Sequence, residues 1–152
     1  GKYPNLEQEV RRRRAEPKRT APAVIITKVR QTFTNTRLIS YAESRGISKE
    51  ILDRNCQQVD YRLASRPNVI ITAIGFMNDN GGYSLRSSRT KISSSSFIST
   101  IKGPEDARGR IFVFEGFFDY LSYLAISKTV SLRESALVLN GVGNVSHALK
   151  VL

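Results

Sequence analysis

The stretch Arg110–Leu124, RIFVFEGFFDYLSYL, carries the clearest structural signal in this sequence. Four consecutive apolar residues, IFVF at 111–114, are typical of a strand buried in a sheet. Glu115 and Gly116 end that run, and the residues after them place Phe117, Leu121 and Leu124 on one side of a helix. The stretch therefore predicts a strand that leads through a short turn into an amphipathic helix.

A second strand and helix follow the first pair. ALVLN at 136–140 is another continuous apolar run, and NVSHALKVL at 144–152 has helical spacing of its apolar residues. Strands that are apolar on both faces and alternate with helices predict a parallel sheet covered by helices. We therefore expect residues 111–152 to be the beginning of an α/β subdomain with a Rossmann-like parallel sheet.

Residues 23–110 show a different pattern, which predicts an α+β subdomain. The predicted elements are a strand at 23–29, helices at Thr36–Arg45 and Lys49–Asn55, a strand at 58–63, two antiparallel strands joined by a turn at Asp79–Gly82, a strand at Phe97–Ile101 and a loop at 102–110. Gly46 suits the left-handed end of the first helix, and Ser48 suits the N-cap of the second. The asparagine and glycines of the 79–82 turn can supply the positive φ that a tight hairpin needs.

The chain is strongly basic, with 24 Lys and Arg against 13 Asp and Glu and a net charge of +11. Its natural partner is therefore a polyanion, and nucleic acid and an anionic membrane surface both fit that charge. Residues 1–22 contain the run Arg11, Arg12, Arg13 and Arg14 and predict a basic flexible extension or linker. The run is either an arm that binds nucleic acid or a solvated charged face.

The remaining composition excludes several classes of protein. No apolar run approaches the ~20 residues that span a bilayer, which predicts a protein that does not act in the membrane. The single cysteine, Cys56, excludes an intrachain disulfide and a Cys-rich zinc site, and a cytoplasmic location is the simplest interpretation. We expect Cys56 and the single histidine, His147, to have structural roles.

Two acidic residues stand where chemistry is expected in an open α/β sheet. Glu115 lies at the carboxyl end of a predicted strand, and Asp119 lies in the first turn of the next helix. Both could face one crevice, and two carboxylates suit Mg²⁺, which completes its shell with water and substrate phosphates. Alternatively, Glu115 only caps the junction and Asp119 only interacts with the helix dipole.

The sequence FVFEGFFDYLSYL resembles the first motif of the TOPRIM domain of bacterial DnaG-type DNA primases: an apolar strand, Glu-Gly, two residues, Asp and a helix. ALVLNGVGNVSHAL follows at a spacing similar to that of the family. LISYAESRGISKEILDRN at 38–55 resembles the helical segment that opens the primase catalytic core, and residues 71–97 resemble its strand–turn–strand segment. The resemblance covers residues 36–152. In character, the sequence is similar to primase-like TOPRIM proteins of mobile elements.

The resemblance implies roles for particular residues. Glu115 would be a metal-associated or acid–base residue, and Asp119 its companion at a Mg²⁺ or Mn²⁺ site. Arg86 and Lys91 would lie near the groove for nucleotide and template, although they could equally be ordinary exposed charges. Asn140 could reach the same crevice. The implied partners are a single-stranded DNA template, nucleotides and a replicative helicase, and the implied reaction is primer synthesis.

The chain also departs from the family. The Asp-x-Asp motif of a third strand is absent, since no Asp or Glu occurs after Glu134, and no zinc-binding domain precedes the core. We therefore expect a fragment with an incomplete metal site that does not polymerise by itself. Two alternatives stay open: a TOPRIM nuclease or topoisomerase-related enzyme, and a non-catalytic nucleic-acid-binding module of a plasmid or transposon protein.

Overall fold

The computed structural model describes residues 23–104 and 109–152, so Arg11–Arg14 and the predicted extension at 1–22 lie outside the described residues. Its elements are β1 (Val24–Arg30), α1 (Thr36–Ser44), α2 (Lys49–Asn55), β2 (Gln57–Leu63), β3 (Arg66–Met77), β4 (Tyr83–Arg86), β5 (Lys91–Ser93), β6 (Ser99–Ile101), β7 (Ile111–Phe114), α3 (Phe117–Ile126), β8 (Ser135–Val138), a 3-10 helix (Val142–Asn144) and α4 (Val145–Val151). None of these helices has both the length and the apolar character needed to cross a membrane.

The first part of the chain is an α+β unit, as the sequence predicted. Strands β1 to β5 form one antiparallel sheet in chain order. The short strand β5, which the sequence did not reveal, pairs with β4. One face of the sheet contributes Ile74 and Phe76 to a core with α1 and α2. The other face has its own small core around Val59, Tyr61 and Leu85.

Capping residues begin and end the two helices of this unit close to their predicted positions. Asn35 ends the preceding segment in an extended conformation, and its side-chain oxygen accepts hydrogen bonds from Arg37 N–H and Leu38 N–H. Gly46 has a φ of 77°, so it supplies the left-handed residue expected after α1. Ser48 accepts a hydrogen bond from Ile51 N–H and caps α2.

The turn between β3 and β4 is fixed differently from the prediction. Among its predicted left-handed residues, Gly81 has a positive φ, of 81°, and Asn80 does not. The buried Asn78, just before the turn, instead accepts hydrogen bonds from Asn80 N–H and Gly82 N–H at 2.9 and 3.0 Å. A Cβ on Gly82 would lie 2.0 Å from Ser95 Oγ, so glycine is required there for close packing rather than for its φ.

The second part contains a small mixed sheet in the order β6-β8-β7. The predicted parallel pairing of the two apolar strands is present, because β7 and β8 are parallel with α3 as the crossover between them. The sheet is not wholly parallel, however, because β6 joins β8 in the antiparallel sense. This strand falls within the predicted 23–110 subdomain but hydrogen-bonds to the sheet of the later segment.

The two sheets share one core, with α3 at its centre. Leu121 and Leu124 of α3 are fully buried among side chains of α1, α2 and β3. The ring of Phe117 stacks on that of Phe76 with a centroid distance of 5.2 Å. Tyr120 Oη donates to Asn55 Oδ1 at 3.2 Å, which joins α3 to the end of α2. The position of α3, and with it the position of Glu115 and Asp119, is therefore set by the first sheet.

The strands of the second sheet are covered unequally. Ala136, Leu137 and Val138 of β8 are buried, as expected for a strand with helices on both faces. In β7, by contrast, Ile111 and Val113 are 47% and 50% exposed. The prediction that helices cover both strands on both faces is therefore wrong for the outer face of β7.

Gln58 is expected to stabilise the connection between β1 and α1. This residue is buried, and its Oε1 accepts hydrogen bonds from Thr34 N–H and Asn35 N–H, both at 2.9 Å. Gln58→Leu should lower the free energy of unfolding by about 1–3 kcal/mol, because two backbone donors lose their acceptor. Urea unfolding measures the change, and Gln31→Leu at an exposed position is the control. Equal unfolding midpoints for the two variants would contradict this role.

Candidate functional site

A cleft of about 480 Å³ lies where the β4–β5 hairpin approaches the start of α3. It brings together the ends of several elements that are far apart in the sequence. The charged and amide side chains that line it are those of Arg45, Arg86, Lys91, Glu115, Asp119 and Asn140. Both predicted metal ligands and both predicted basic residues of the core therefore line the same cavity.

The two carboxylates lie at the carboxyl end of the parallel pair of strands. Glu115 follows β7 directly and is exposed. Asp119, also exposed, is the third residue of α3, and its Oδ2 accepts a hydrogen bond of 3.2 Å from Gly116 N–H. Asp119 thus caps the start of α3, whereas the alternative interpretation of the sequence assigned the cap to Glu115 and only a dipole interaction to Asp119. One carboxylate oxygen suffices for that contact, which leaves the other free for a ligand.

The two basic residues of the hairpin face each other directly. Arg86 of β4 and Lys91 of β5 are register partners, so they lie on the same side of the sheet. Like charges directly opposite in an antiparallel pair destabilise it. No ion pair joins either cation to Glu115 or Asp119, all four of which belong to the described part of the chain. An anion in the cleft would relieve this repulsion.

Arg45 is a third cation of the cleft, which the sequence analysis missed. Its guanidinium carbon lies 5.4 Å from the centroid of the Phe118 ring, and that of Arg86 lies 5.1 Å from the same centroid. Both are cation–π contacts, which hold the positive charge of each guanidinium near a buried ring. Only the packing of α1 against α3 brings Arg45 to Phe118, so no local pattern could have identified it.

Asn140 and Gly141 shape the side of the cleft that follows β8. Asn140 is left-handed, with φ of 56°, and its Nδ2 donates to Phe97 O at 2.9 Å and Ser99 Oγ at 2.8 Å. Its Oδ1 is buried and has no hydrogen-bond partner within the described structure. Gly141 has φ of 132°, which L side chains rarely adopt. Asn140 thus reaches the cleft, as the sequence suggested, while its amide nitrogen ties β8 to β6.

The other candidate reactive groups lie away from this cleft. His147 packs against Phe97 with a ring-centroid distance of 4.8 Å. Burial raises the pKa of the Cys56 thiol far above its ordinary value, so the thiol stays neutral at physiological pH. Burial, with a smaller contribution from Cys56, raises the pKa of Tyr120 to about 12. None of the three lines the cleft, so the charged residues there carry its chemistry.

The donor set fits a particular kind of metal site. Among residues 23–104 and 109–152, no group of three or more His, Cys, Asp or Glu side chains could share an ion. Glu115 and Asp119 therefore offer two carboxylates, with no third side chain of these types in the group. Mg²⁺ is bound in this way in many phosphate-transfer sites, where water and substrate phosphates complete the coordination. The residues present fit an ion that binds together with a phosphate ligand.

The comparisons with known proteins concern mainly the first sheet. Residues 26–95 match a family model described as a domain of unknown function (DUF8464). The matched range runs from β1 to just beyond β5, contains Arg45, Arg86 and Lys91, and ends before Glu115. Neither the comparison with curated proteins nor that with solved structures gives a match. This chain is therefore similar, over less than half of its length, to a family whose function is itself unknown.

Proposed function

We propose that this chain is part of a primase-like TOPRIM catalytic core, which binds nucleotides and single-stranded nucleic acid together with a divalent metal ion. The observation that carries the proposal is the convergence of Glu115 and Asp119 with three cations in one cleft. The strand–Glu-Gly-x-x-Asp–helix motif that resembles the TOPRIM domain supplies the carboxylates. The segment that resembles the primase core supplies the cations.

In this proposal the cations bind phosphate. The guanidinium groups of Arg45 and Arg86 lie over the Phe118 ring, and a guanidinium can donate two parallel hydrogen bonds to phosphate oxygens. Lys91, opposite Arg86 on the hairpin, adds a mobile point charge. The negative charge of the ligand would offset the repulsion among these side chains, which favours polyphosphates and phosphodiesters over neutral ligands.

Glu115 and Asp119 would hold Mg²⁺ or Mn²⁺ beside the bound phosphate. When bound there, the ion would stabilise negative charge on the phosphate oxygens during nucleotidyl transfer. Glu115 would serve only as a ligand, whereas Asp119 also holds the start of α3 through its hydrogen bond from Gly116 N–H. Asp119 therefore positions the junction and contributes charge. Primer synthesis is the activity that this arrangement would serve.

The test is whether metal and nucleotide bind cooperatively. We expect Mg²⁺ or Mn²⁺ to increase the affinity for a nucleoside triphosphate about fivefold or more over the affinity in EDTA. Glu115→Gln should abolish that increase and leave metal-independent binding in place, because it removes a charge without removing a cation. Isothermal titration calorimetry measures both affinities. Asp119→Asn keeps an oxygen that can accept the hydrogen bond from Gly116 N–H, so it removes the charge while retaining the cap.

Glu43→Gln, on the exposed surface of α1, is the matched control for the loss of one negative charge. It should retain the full metal effect. If the metal effect is the same in Glu115→Gln as in the unmodified protein, the proposed metal site is wrong. Cleavage of an oligonucleotide by the metal-loaded protein would instead favour a TOPRIM nuclease.

A non-catalytic nucleic-acid-binding module is the second candidate. It is favoured by the surplus of cations over carboxylates in the cleft and by the net charge of +11. Such a module should bind oligonucleotides with a steep salt dependence and be indifferent to both metal and Glu115→Gln. The same titrations therefore separate the two candidates.

A further inference from the structure

A second groove, of about 730 Å³, lies at the turn of the β4–β5 hairpin. Arg86 and Lys91, at the ends of the two strands, line the cleft, and the turn residues between them line the second groove. One hairpin therefore lines both cavities, its strands the cleft and its turn the second groove. The residues that give the second groove its character are Arg37, Ile70, Thr72, Ser87, Ser88 and Arg89.

The side chains of the second groove combine charge, hydroxyl groups and exposed apolar surface. Arg37 and Arg89 are both exposed cations. Ile70 is 55% exposed, although it is a large aliphatic residue. No Asp or Glu is among the described residues that line the groove, and Asp60, which accepts a hydrogen bond of 2.8 Å from Thr72 Oγ1, does not line it. The groove is therefore cationic with an apolar element.

The side chains, and not the helix N-terminus, make this groove suitable for an anion. The first free N–H groups of α1, those of Arg37 and Leu38, are already bound by Asn35 Oδ1. What remains available are two guanidinium groups and the hydroxyl groups of the Ser87–Thr90 turn. Guanidinium and hydroxyl groups are common partners of phosphate oxygens, and an exposed aliphatic side chain can contact a sugar or the face of a base.

We propose that the second groove binds the sugar–phosphate backbone of a single-stranded nucleic acid whose other end occupies the cleft. This proposal rests on the proposed function and adds the path of the strand, which runs from the cleft along the β4–β5 hairpin to its turn. A single strand fits better than a duplex, because only unpaired nucleotides expose base faces to an aliphatic side chain such as Ile70. The hairpin would then contact the strand at both cavities.

The test compares oligonucleotides of two lengths. A thymidine trinucleotide is short enough to occupy the cleft alone, whereas a thymidine dodecamer can reach both cavities. Arg37→Gln/Arg89→Gln removes the two cations of the second groove. Fluorescence anisotropy at several salt concentrations gives the slope of log affinity against log salt, which changes by about 0.7 for each phosphate contact of a single strand.

We expect the Arg37→Gln/Arg89→Gln variant to lower the slope for the dodecamer by about 1.4 and to leave the trinucleotide unaffected. Arg54→Gln/Arg133→Gln removes the same charge from exposed positions outside both cavities and should change neither slope. If the dodecamer slope falls equally in both variants, binding depends on overall charge and the proposed groove is wrong. No change in the dodecamer slope would also overturn it.

Two further measurements distinguish this proposal from the cleft proposal and from binding to a membrane surface. Arg86→Gln/Lys91→Gln, the cleft variant, should weaken the binding of both oligonucleotides. The groove variant is Arg37→Gln/Arg89→Gln. If the cleft variant weakens the binding of neither oligonucleotide while the groove variant lowers the dodecamer slope, the cleft proposal fails and the groove is a separate strand-binding site. Sedimentation with phosphatidylserine vesicles tests the other polyanion. If the groove variant reduces vesicle binding but not dodecamer binding, the groove serves a membrane surface and this proposal is overturned.

Discussion

Leu121→Ala is expected to lower the free energy of unfolding by about 2–5 kcal/mol. Leu121 is completely buried at the centre of α3, where it packs in the core that joins the helices of the first part to the second sheet. Truncation to alanine removes buried apolar surface and leaves a cavity that its neighbours on α1, α2 and β3 can fill only partly. Such a loss is a large fraction of the stability of an ordinary domain, which is about 5–15 kcal/mol.

Urea unfolding monitored by circular dichroism measures this change. Ile126→Ala is the control on the same helix, because Ile126 is 80% exposed and its truncation should change the free energy by about 0.5 kcal/mol or less. Equal losses for the two variants would show that α3 does not pack as described. Because α3 begins beside Glu115, the Leu121 variant should also weaken ligand binding in the cleft if its fold is partly lost.

Arg86→Gln is expected to weaken the binding of a nucleoside triphosphate by about 10- to 100-fold. Arg86 is half-buried, and its guanidinium is held over Phe118 at 5.1 Å. A hydrogen bond to a charged group contributes about 1.5–3 kcal/mol, and glutamine supplies neither the charge nor the planar fork. Calorimetric titration of the nucleotide into each variant measures the loss.

Arg86→Lys separates charge from geometry at this position. Lysine keeps the positive charge but cannot make the two-pronged contact, so we expect an affinity between those of the unmodified protein and Arg86→Gln. Arg133→Gln, at an exposed position outside the cleft, is the control and should have the affinity of the unmodified protein. Equal weakening by Arg86→Gln and Arg133→Gln would refute a specific phosphate contact by Arg86.

The predictions that the structure confirms rest on local signals. Helix α2 spans Lys49–Asn55, as predicted, because Ser48 satisfies the N–H of Ile51 within the same turn. The end of α1 is set by Gly46, whose positive φ needs no tertiary contact. The strand–turn–helix unit at 111–126 follows from a switch of apolar spacing within the segment itself. Each of these signals acts between residues a few positions apart.

The features that the sequence did not reveal depend on distant partners. Strand β5 has three residues, of which only Ile92 is apolar, so its pattern is too short to predict a strand, and it is defined by its pairing with β4. Strand β6 joins β8, which lies more than thirty residues further along the chain, and the side chain of Asn140 reinforces this pairing through Ser99. The apolar strand β7 resembles β8 in sequence, yet its outer side chains, Ile111 and Val113, are about half exposed. The reason is that α4 packs on the neighbouring strand, against Leu137 of β8.

The sequence by itself determined the α+β character of the first part, the parallel β7–α3–β8 unit, and the position of Glu115 and Asp119 at a strand end and a helix start. These follow from apolar periodicity and capping, which are properties of short segments. Only the tertiary structure decided that the guanidinium groups of Arg45 and Arg86 lie over the ring of Phe118, and that one β-hairpin lines both the cleft and a second cationic groove. The physical reason is that a charged site needs side chains from several segments, and burial of α3 against the first sheet is what brings those segments together.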